Sequence, residues 1–179
     1  MTRRLTELEG VCLALIDKYD RCTAYRVRRE LQQAPSSHWR GSAGSVYPML
    51  SRLEVDGFLK SDSDSDDGRG RKTLHVTKAG KAAVNAWIMA GSEIDVISSV
   101  TDPLRSRSFF LGVLSDKQRA QYLDASINQL EKYLSETKAH LKDRSAEVDQ
   151  FEYFGSLGAV KVTQARLEWL KSVRKQLKQ

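Results

Sequence analysis

Cysteine is scarce in this chain: Cys12 and Cys22 are the only two among 179 residues. They form no C-x-x-C pair and have no histidine at metal-ligand spacing, which argues against a zinc module or a redox motif. Cys12 falls on an apolar helix face and reads as a buried structural thiol. The three histidines, His38, His75 and His140, lie in three separate segments, so no Ser/His/Asp or Cys/His arrangement can be read among them. No phosphate loop is present either, and an enzyme is not expected. Proline is also rare, with three residues, while 40% of the chain is hydrophobic and 29% charged, a balance typical of folded, helix-favouring proteins. No apolar run approaches the roughly 20 residues needed to span a bilayer, and the opening MTRRLTELEG is too polar for a signal peptide. A cytoplasmic protein with no membrane partner, metal or cofactor is the expectation.

The chain does carry positive charge. The net charge is +6, and residues 1–91 hold 15 Lys and Arg against 11 Asp and Glu. Four of those acids, Asp62, Asp64, Asp66 and Asp67, sit in one run, so the rest of that half is more basic than its total suggests. Such a surface suits an anionic partner such as nucleic acid.

Hydrophobic spacing organises the first half. Leu8, Val11, Cys12, Leu15 and Ile16 recur at helical intervals, and Thr6 before Glu9 is a capping box, so a helix is predicted over about 6–18. After the polar break KYDRC, Thr23 is the expected N-cap of AYRVRRELQQ, in which Ala24, Val27 and Leu31 form one stripe while Arg26, Arg28 and Arg29 face elsewhere. APSSHWRGS reads as a turn or loop. In GSAGSVYPMLSRLEVDGFL, Pro48 belongs in a helix's first turn, where the N–H it lacks would have no partner, so this third helix begins near Gly44 or Ser45. Val46, Leu50 and Leu53 then share a buried face, with Tyr47, Pro48, Ser51 and Arg52 on the other flanks. Gly57 supplies a left-handed residue that closes the helix. Two short strands joined by a long charged tip follow, the second alternating Leu74 and Val76 with Thr73 and His75. Thr77 caps a fourth helix carrying Ala83, Val84, Trp87 and Ile88. Three helices followed by a hairpin form the winged helix-turn-helix plan, in which the third helix enters the DNA major groove.

LTELEGVCLALI, TAYRVRREL, GSAGSVYPMLSRLEVDGFL, GRGRKTLHVTKAGKAAVNAWI and DPLRSRSFFLGVLSDKQRAQYL together resemble the PadR family of bacterial transcriptional regulators. The resemblance covers nearly the whole chain in the right order. It includes the Tyr-Pro of the third helix and the Arg-Leu-Glu at 52–54.

A recognition helix needs small residues where its backbone approaches DNA, and donors for phosphates and base edges. Ser42, Gly44 and Ser45 answer the first need, and Tyr47, Ser51 and Arg52 the second; Pro48 belongs to the same DNA-binding surface. Tyr47 also reads as a half-buried aromatic and Arg52 as a partner of Glu54 or Asp56, while the resemblance implies that Tyr47 touches backbone phosphate. In the wing, Arg69, Arg71 and Lys72 surround glycines, as cations that bend toward a groove would, although a solvated basic turn has the same composition. The acidic run at 62–67 would be repelled by DNA and is expected to point away from it.

In the second half, Asp102 and Pro103 read as N-cap and N1 of a fifth helix with Leu104, Phe110, Leu111 and Leu114 as its apolar residues. Leu123, Ile127, Leu130, Leu134, Thr137, Leu141, Arg144 and Val148 then alternate steps of four and three, which marks a helix-packing seam. QFEYFGSLG reads as a Gly-containing turn. The helix after it places Val160, Leu167, Leu170 and Leu177 on one stripe and Val162, Trp169 and Val173 on another. Two helices of unequal length would make an antiparallel hairpin whose exposed apolar surface a second copy would cover, with Leu123, Ile127, Leu130, Leu134, Leu141, Leu167 and Leu170 at the dimer contact. The resemblance likewise implies a dimer, and it implies a ligand pocket among such helices, for which Trp87, Phe109, Phe110, Tyr153 and Trp169 are lining candidates and equally core aromatics.

The expected fold is therefore mainly α with a small β-hairpin: a winged helix-turn-helix domain over 1–91, a connector with a short helix over 92–115, and a C-terminal α-helical dimerisation hairpin over 116–179. The expected function is a homodimeric, sequence-specific DNA-binding transcriptional regulator, a repressor released by a small-molecule effector or stress signal, acting at a pseudo-palindromic double-stranded operator. The alternative is a winged-helix protein-interaction module that does not bind DNA.

Overall fold

The computed structural model describes residues 3–34, 39, 43–63, 72–95, 102–142, 147 and 149–177. Two compact units divide the chain, Met1–Val100 and Thr101–Gln179.

The first unit begins with helix α1 (Glu7–Tyr19), closed at its start by the capping box: Thr6 Oγ1 accepts from Glu9 N at 3.4 Å and Glu9 Oε2 accepts from Thr6 N at 2.9 Å. Val11, Cys12, Leu13 and Ile16 are buried, so the core-facing stripe also takes in Leu13, while Leu8 and Leu15 are partly buried against it. Thr23 caps α2 (Ala24–Gln33), accepting from Arg26 N at 3.2 Å, and Val27 and Leu31 are buried. A 3-10 turn (Ala43–Ser45) leads into α3 (Val46–Val55), whose Val46, Met49, Leu50 and Leu53 point inward. Gly57, at φ +77°, ends it: Gly57 N donates to Glu54 O and Phe58 N to Leu53 O, and the turn buries Phe58.

Strands β2 (Leu59–Ser63) and β3 (Lys72–Val76) make the wing's antiparallel pair, from Leu59 opposite Val76 to Ser63 opposite Lys72. The sheet nevertheless has three strands. Cys22, read in sequence as the end of a polar break, and the N-cap Thr23 form strand β1, which pairs with β3, Cys22 opposite Leu74 and Thr23 opposite Thr73, in the order β1-β3-β2. Two residues cannot display the period-2 alternation by which a strand is recognised. The chain reaches β1 through Asp20 and Arg21, both at positive φ.

Helix α4 (Lys78–Ala90) starts at Thr77, whose Oγ1 accepts from Gly80 N at 3.0 Å and donates to Gly57 O at 2.7 Å. Ala83 and Val84 are buried and Trp87 is partly so, but Ile88, expected on the same stripe, is exposed. α4 packs closely on α1: a Cβ at Gly10 would lie 2.3 Å from Trp87 Cδ2, and Trp87 Nε1 donates to Glu7 Oε2 at 3.2 Å.

The second unit opens with α5 (Pro103–Ser108), capped by Asp102, which accepts from Leu104 N and Arg105 N. The helix is shorter than its apolar pattern suggested. It stops before Phe109 and Phe110, which are exposed in a turn, and Leu111 enters the core from a 3-10 turn, Leu111–Val113. Helices α6 (Asp116–Lys142) and α7 (Gln150–Gln176) then pair. They are antiparallel, as Arg174 near the end of α7 grips Asp124 near the start of α6 at 2.7 Å and Lys171 meets Glu131 at 2.6 Å. The two are of equal length, 27 residues each, contrary to expectation. QFEYFGSLG is not the turn. Asp149 caps α7 at its side chain, and Gly155 and Gly158 lie within the helix. Leu123, Leu130, Leu167 and Leu170 form the core between the helices. Thr137 and Thr163 are buried there because their hydroxyls donate to the carbonyls of Tyr133 and Ala159 one turn back. Among the described residues no helix is long and apolar enough to cross a membrane.

Candidate nucleic-acid interface

Helix α3 is divided by its own sequence into a buried apolar face and an exposed polar one. Gly44, Ser45, Tyr47, Pro48, Ser51 and Arg52 are all exposed, Tyr47 to 47%. At this exposure Tyr47 fits both of its readings, a half-buried aromatic and a side chain open to a partner. Arg52 has no ion pair among the described residues: Glu54 and Asp56, its candidate partners, are held by Lys72 and Arg3 instead. Ser51 Oγ donates to Tyr47 O at 3.2 Å and is exposed. Pro48 occupies the third helical position, where its missing N–H is not needed. Ser45 makes no side-chain cap, whereas Thr6, Thr23, Thr77, Asp102 and Asp149 cap α1, α2, α4, α5 and α7. Ser42 lies outside the described residues.

At the wing, Lys72 is exposed, but its ammonium donates to Glu54 Oε2 at 2.8 Å. Ser61 Oγ on β2 donates to the other oxygen of the same carboxylate at 2.5 Å. The ion pair with Lys72, followed by the Ser61 hydrogen bond, holds the Glu54 carboxyl below the usual carboxylate range. Arg69 and Arg71, with the acidic run from Asp64 onward, lie outside the described residues. Behind α3, Arg3 donates through both terminal nitrogens to the buried Glu9 at 2.8 and 2.9 Å, and to Asp56 at 2.6 Å. This clamp ties the N-terminal segment to the end of α3.

One exposed surface was not singled out in the sequence. Helix α2 packs against the turn and helix that carry the polar face, and it presents Tyr25, Arg28 and Arg29 to solvent. Arg26 is engaged, its guanidinium 3.8 Å from the centre of the Tyr19 ring. The RVRRE spacing marked these arginines as off the apolar stripe, and the preceding helix of a helix-turn-helix crosses the DNA backbone.

In the second unit, Leu123, Leu130, Leu167 and Leu170 are buried within the chain, with Ile127 and Leu134 packed on them and Leu141 partly buried. Among the described residues of this unit, the large apolar side chains left exposed are Phe109, Phe110, Val113, Phe151, Phe154, Val162 and Leu177, the last expected on the stripe of Val160, Leu167 and Leu170. Phe109 and Phe110 are therefore not core aromatics. Trp169 packs on the leucine core, Trp87 belongs to the α1–α4 contact, and Tyr153 meets Phe154 edge-on at 6.0 Å.

A helix pair with an exposed second helix, followed by a β-wing pinned to that helix, defines a winged helix-turn-helix domain, here followed by a helical hairpin. Residues 12–86, within the winged-helix domain, match the Transcriptional regulator PadR-like family. The chain is similar to Transcriptional regulator Rv3488 of Mycobacterium tuberculosis, 47% identical over 55 residues that make up 30% of this chain and 51% of that protein. The alignment thus spans about half the length of that relative. Bacillus subtilis PadR in complex with operator DNA has a similar fold, with a TM-score of 0.80 at 18% identity over 98% of this chain and 99% of that one. The same protein in complex with p-coumaric acid gives 0.78 at 19% identity, covering 96% and 99%.

Proposed function

We propose that the chain is a cytoplasmic, sequence-specific DNA-binding transcriptional regulator that works as a homodimeric repressor. The observation that carries this reading is the polar face of α3, where Tyr47, Ser51 and Arg52 are exposed together on one helix. Arg52 would donate to base edges or phosphate, Tyr47 to phosphate, and the small residues Gly44 and Ser45 would let the backbone come close. Arg28 and Arg29 of α2 and the wing cations Arg69, Arg71 and Lys72 would add phosphate contacts, which supply affinity and make it salt-dependent.

Two half-sites about 34 Å apart require two recognition helices, hence two copies. The exposed phenylalanines of the helical unit are the surface a partner would cover, because most of the leucines expected at the dimer contact already fill the chain's own core. A small-molecule effector or stress signal that changes the separation of the two α3 helices would release the operator. The solved complexes of Bacillus subtilis PadR with operator DNA and with p-coumaric acid support a scheme of this type.

The test is a fluorescence-anisotropy titration with duplex DNA from the region upstream of the chain's own gene, against an unrelated duplex, at about 150 mM salt. The expected preference is about a thousandfold. Equal, weak binding to these and to duplexes selected from a random library would favour a winged-helix module that binds proteins instead.

A further inference from the structure

A carboxylate on a helix that approaches DNA is repelled by phosphate unless something holds it. Glu54 is such a residue, two positions after the exposed Arg52, and it is held on two sides. Ser61 Oγ reaches one oxygen from β2 at 2.5 Å, and Lys72 Nζ reaches the other from β3 at 2.8 Å. Ser61 faces Leu74 across the ladder and Lys72 faces Ser63, so a single side chain of α3 is joined to both strands of the wing. On the helix's other side, Arg3 holds Asp56. The acids at the end of α3 are thereby neutralised by cations from neighbouring segments, leaving Arg52 as the cation its own helix presents.

We propose that Glu54 is a positioning residue for DNA recognition: by bridging Ser61 and Lys72 it sets the angle between α3 and the wing, so that both dock on one duplex in register. The inference rests on the DNA-regulator reading. Its signature differs from that of a simple contact. Removing the charge of Glu54 takes away a repulsion and frees a lysine, so non-specific affinity stays constant or rises. Specific affinity depends on geometry and falls.

The experiment first recovers a preferred sequence by selection of random duplexes with the wild-type protein, then measures Glu54→Gln, Lys72→Met and the double variant against that duplex and a scrambled one. Glu54→Gln is expected to lower the specific-to-non-specific ratio about tenfold, the order of one charge-assisted hydrogen bond, with a melting temperature lowered by about 5 °C at most, as for a part-exposed ion pair. The double variant should lose no more than the worse single one, because both remove the same bridge. A wild-type ratio retained by Glu54→Gln, or losses that simply add, would overturn the positioning role while leaving DNA recognition intact. If the wild-type protein selects no sequence at all, the DNA-regulator reading fails and this inference fails with it.

Discussion

Replacing Arg3 by methionine keeps a long apolar stem and deletes the guanidinium that binds Glu9. The Glu9 side chain is 7% exposed and receives Arg3 through two nitrogens, at 2.8 and 2.9 Å, along with Thr6 N at 2.9 Å. Chiefly because of the Arg3 hydrogen bonds, the Glu9 carboxyl is held down at about 2 from an ordinary 4.5. A carboxyl depressed in the folded state stabilises it fully above about pH 4.5, and that contribution disappears as pH falls through about 2. At about 1.4 kcal/mol per pH unit, the full shift corresponds to about 3 kcal/mol. Arg3 is 42% exposed, so solvent screening reduces what the pair is worth. Arg3→Met should therefore cost about 1–2 kcal/mol at pH 7, part of it from leaving the buried carboxylate with Thr6 in place of a charged donor. Urea unfolding of both proteins at pH 7 and pH 3 tests this, and the gap between them should shrink by more than half at the lower pH. A gap below about 0.5 kcal/mol at neutral pH, within the range of ordinary surface pairs, or one that does not change with pH, would refute the reasoning.

Gly10→Ala would drive a methyl to within 2.4 Å of two Trp87 ring atoms and push α1 from α4, so a loss of about 1–3 kcal/mol is expected in the same unfolding assay; a neutral result would mean that the two helices slide apart freely. Both cysteines are buried, and burial pushes the Cys12 thiol up to about 12 and that of Cys22 upward as well. Neither should react with Ellman's reagent at pH 8 until the protein is unfolded in denaturant, and rapid labelling of the native protein would contradict the packing of α1 and β1.

The winged helix was legible because its signals are local. Thr6 with Glu9, Thr23 and Thr77 each announced a helix start, Gly57 a helix stop, and Pro48 the first turn of α3. What was not legible depended on partners distant in sequence. The strand at Cys22–Thr23 exists because β3, some fifty residues later, offers it hydrogen bonds. Glu54 could be read as a partner of Arg52, and only the folded wing shows it bound to Ser61 and Lys72 instead. The end of the connection between α6 and α7 was misplaced because glycine costs a helix interior only about 1 kcal/mol. Asp149 and the packing of a long apolar face outweigh that cost at Gly155 and Gly158. The leucine repeat marked a packing seam without saying whether the partner helix was in the same chain or another. The structure answers for Leu123, Leu130, Leu167 and Leu170, which pack inside the chain.

The most direct test of α3 as the recognition helix is dimethyl sulfate protection on a DNA duplex bound by the protein. Insertion of α3 predicts guanine N7 protection on the major-groove side in two clusters, their centres about 10 base pairs or a multiple of that apart, and loss of protection with Arg52→Ala. Stable binding with no N7 protection, or with protection confined to adenine N3 in the minor groove, would contradict it.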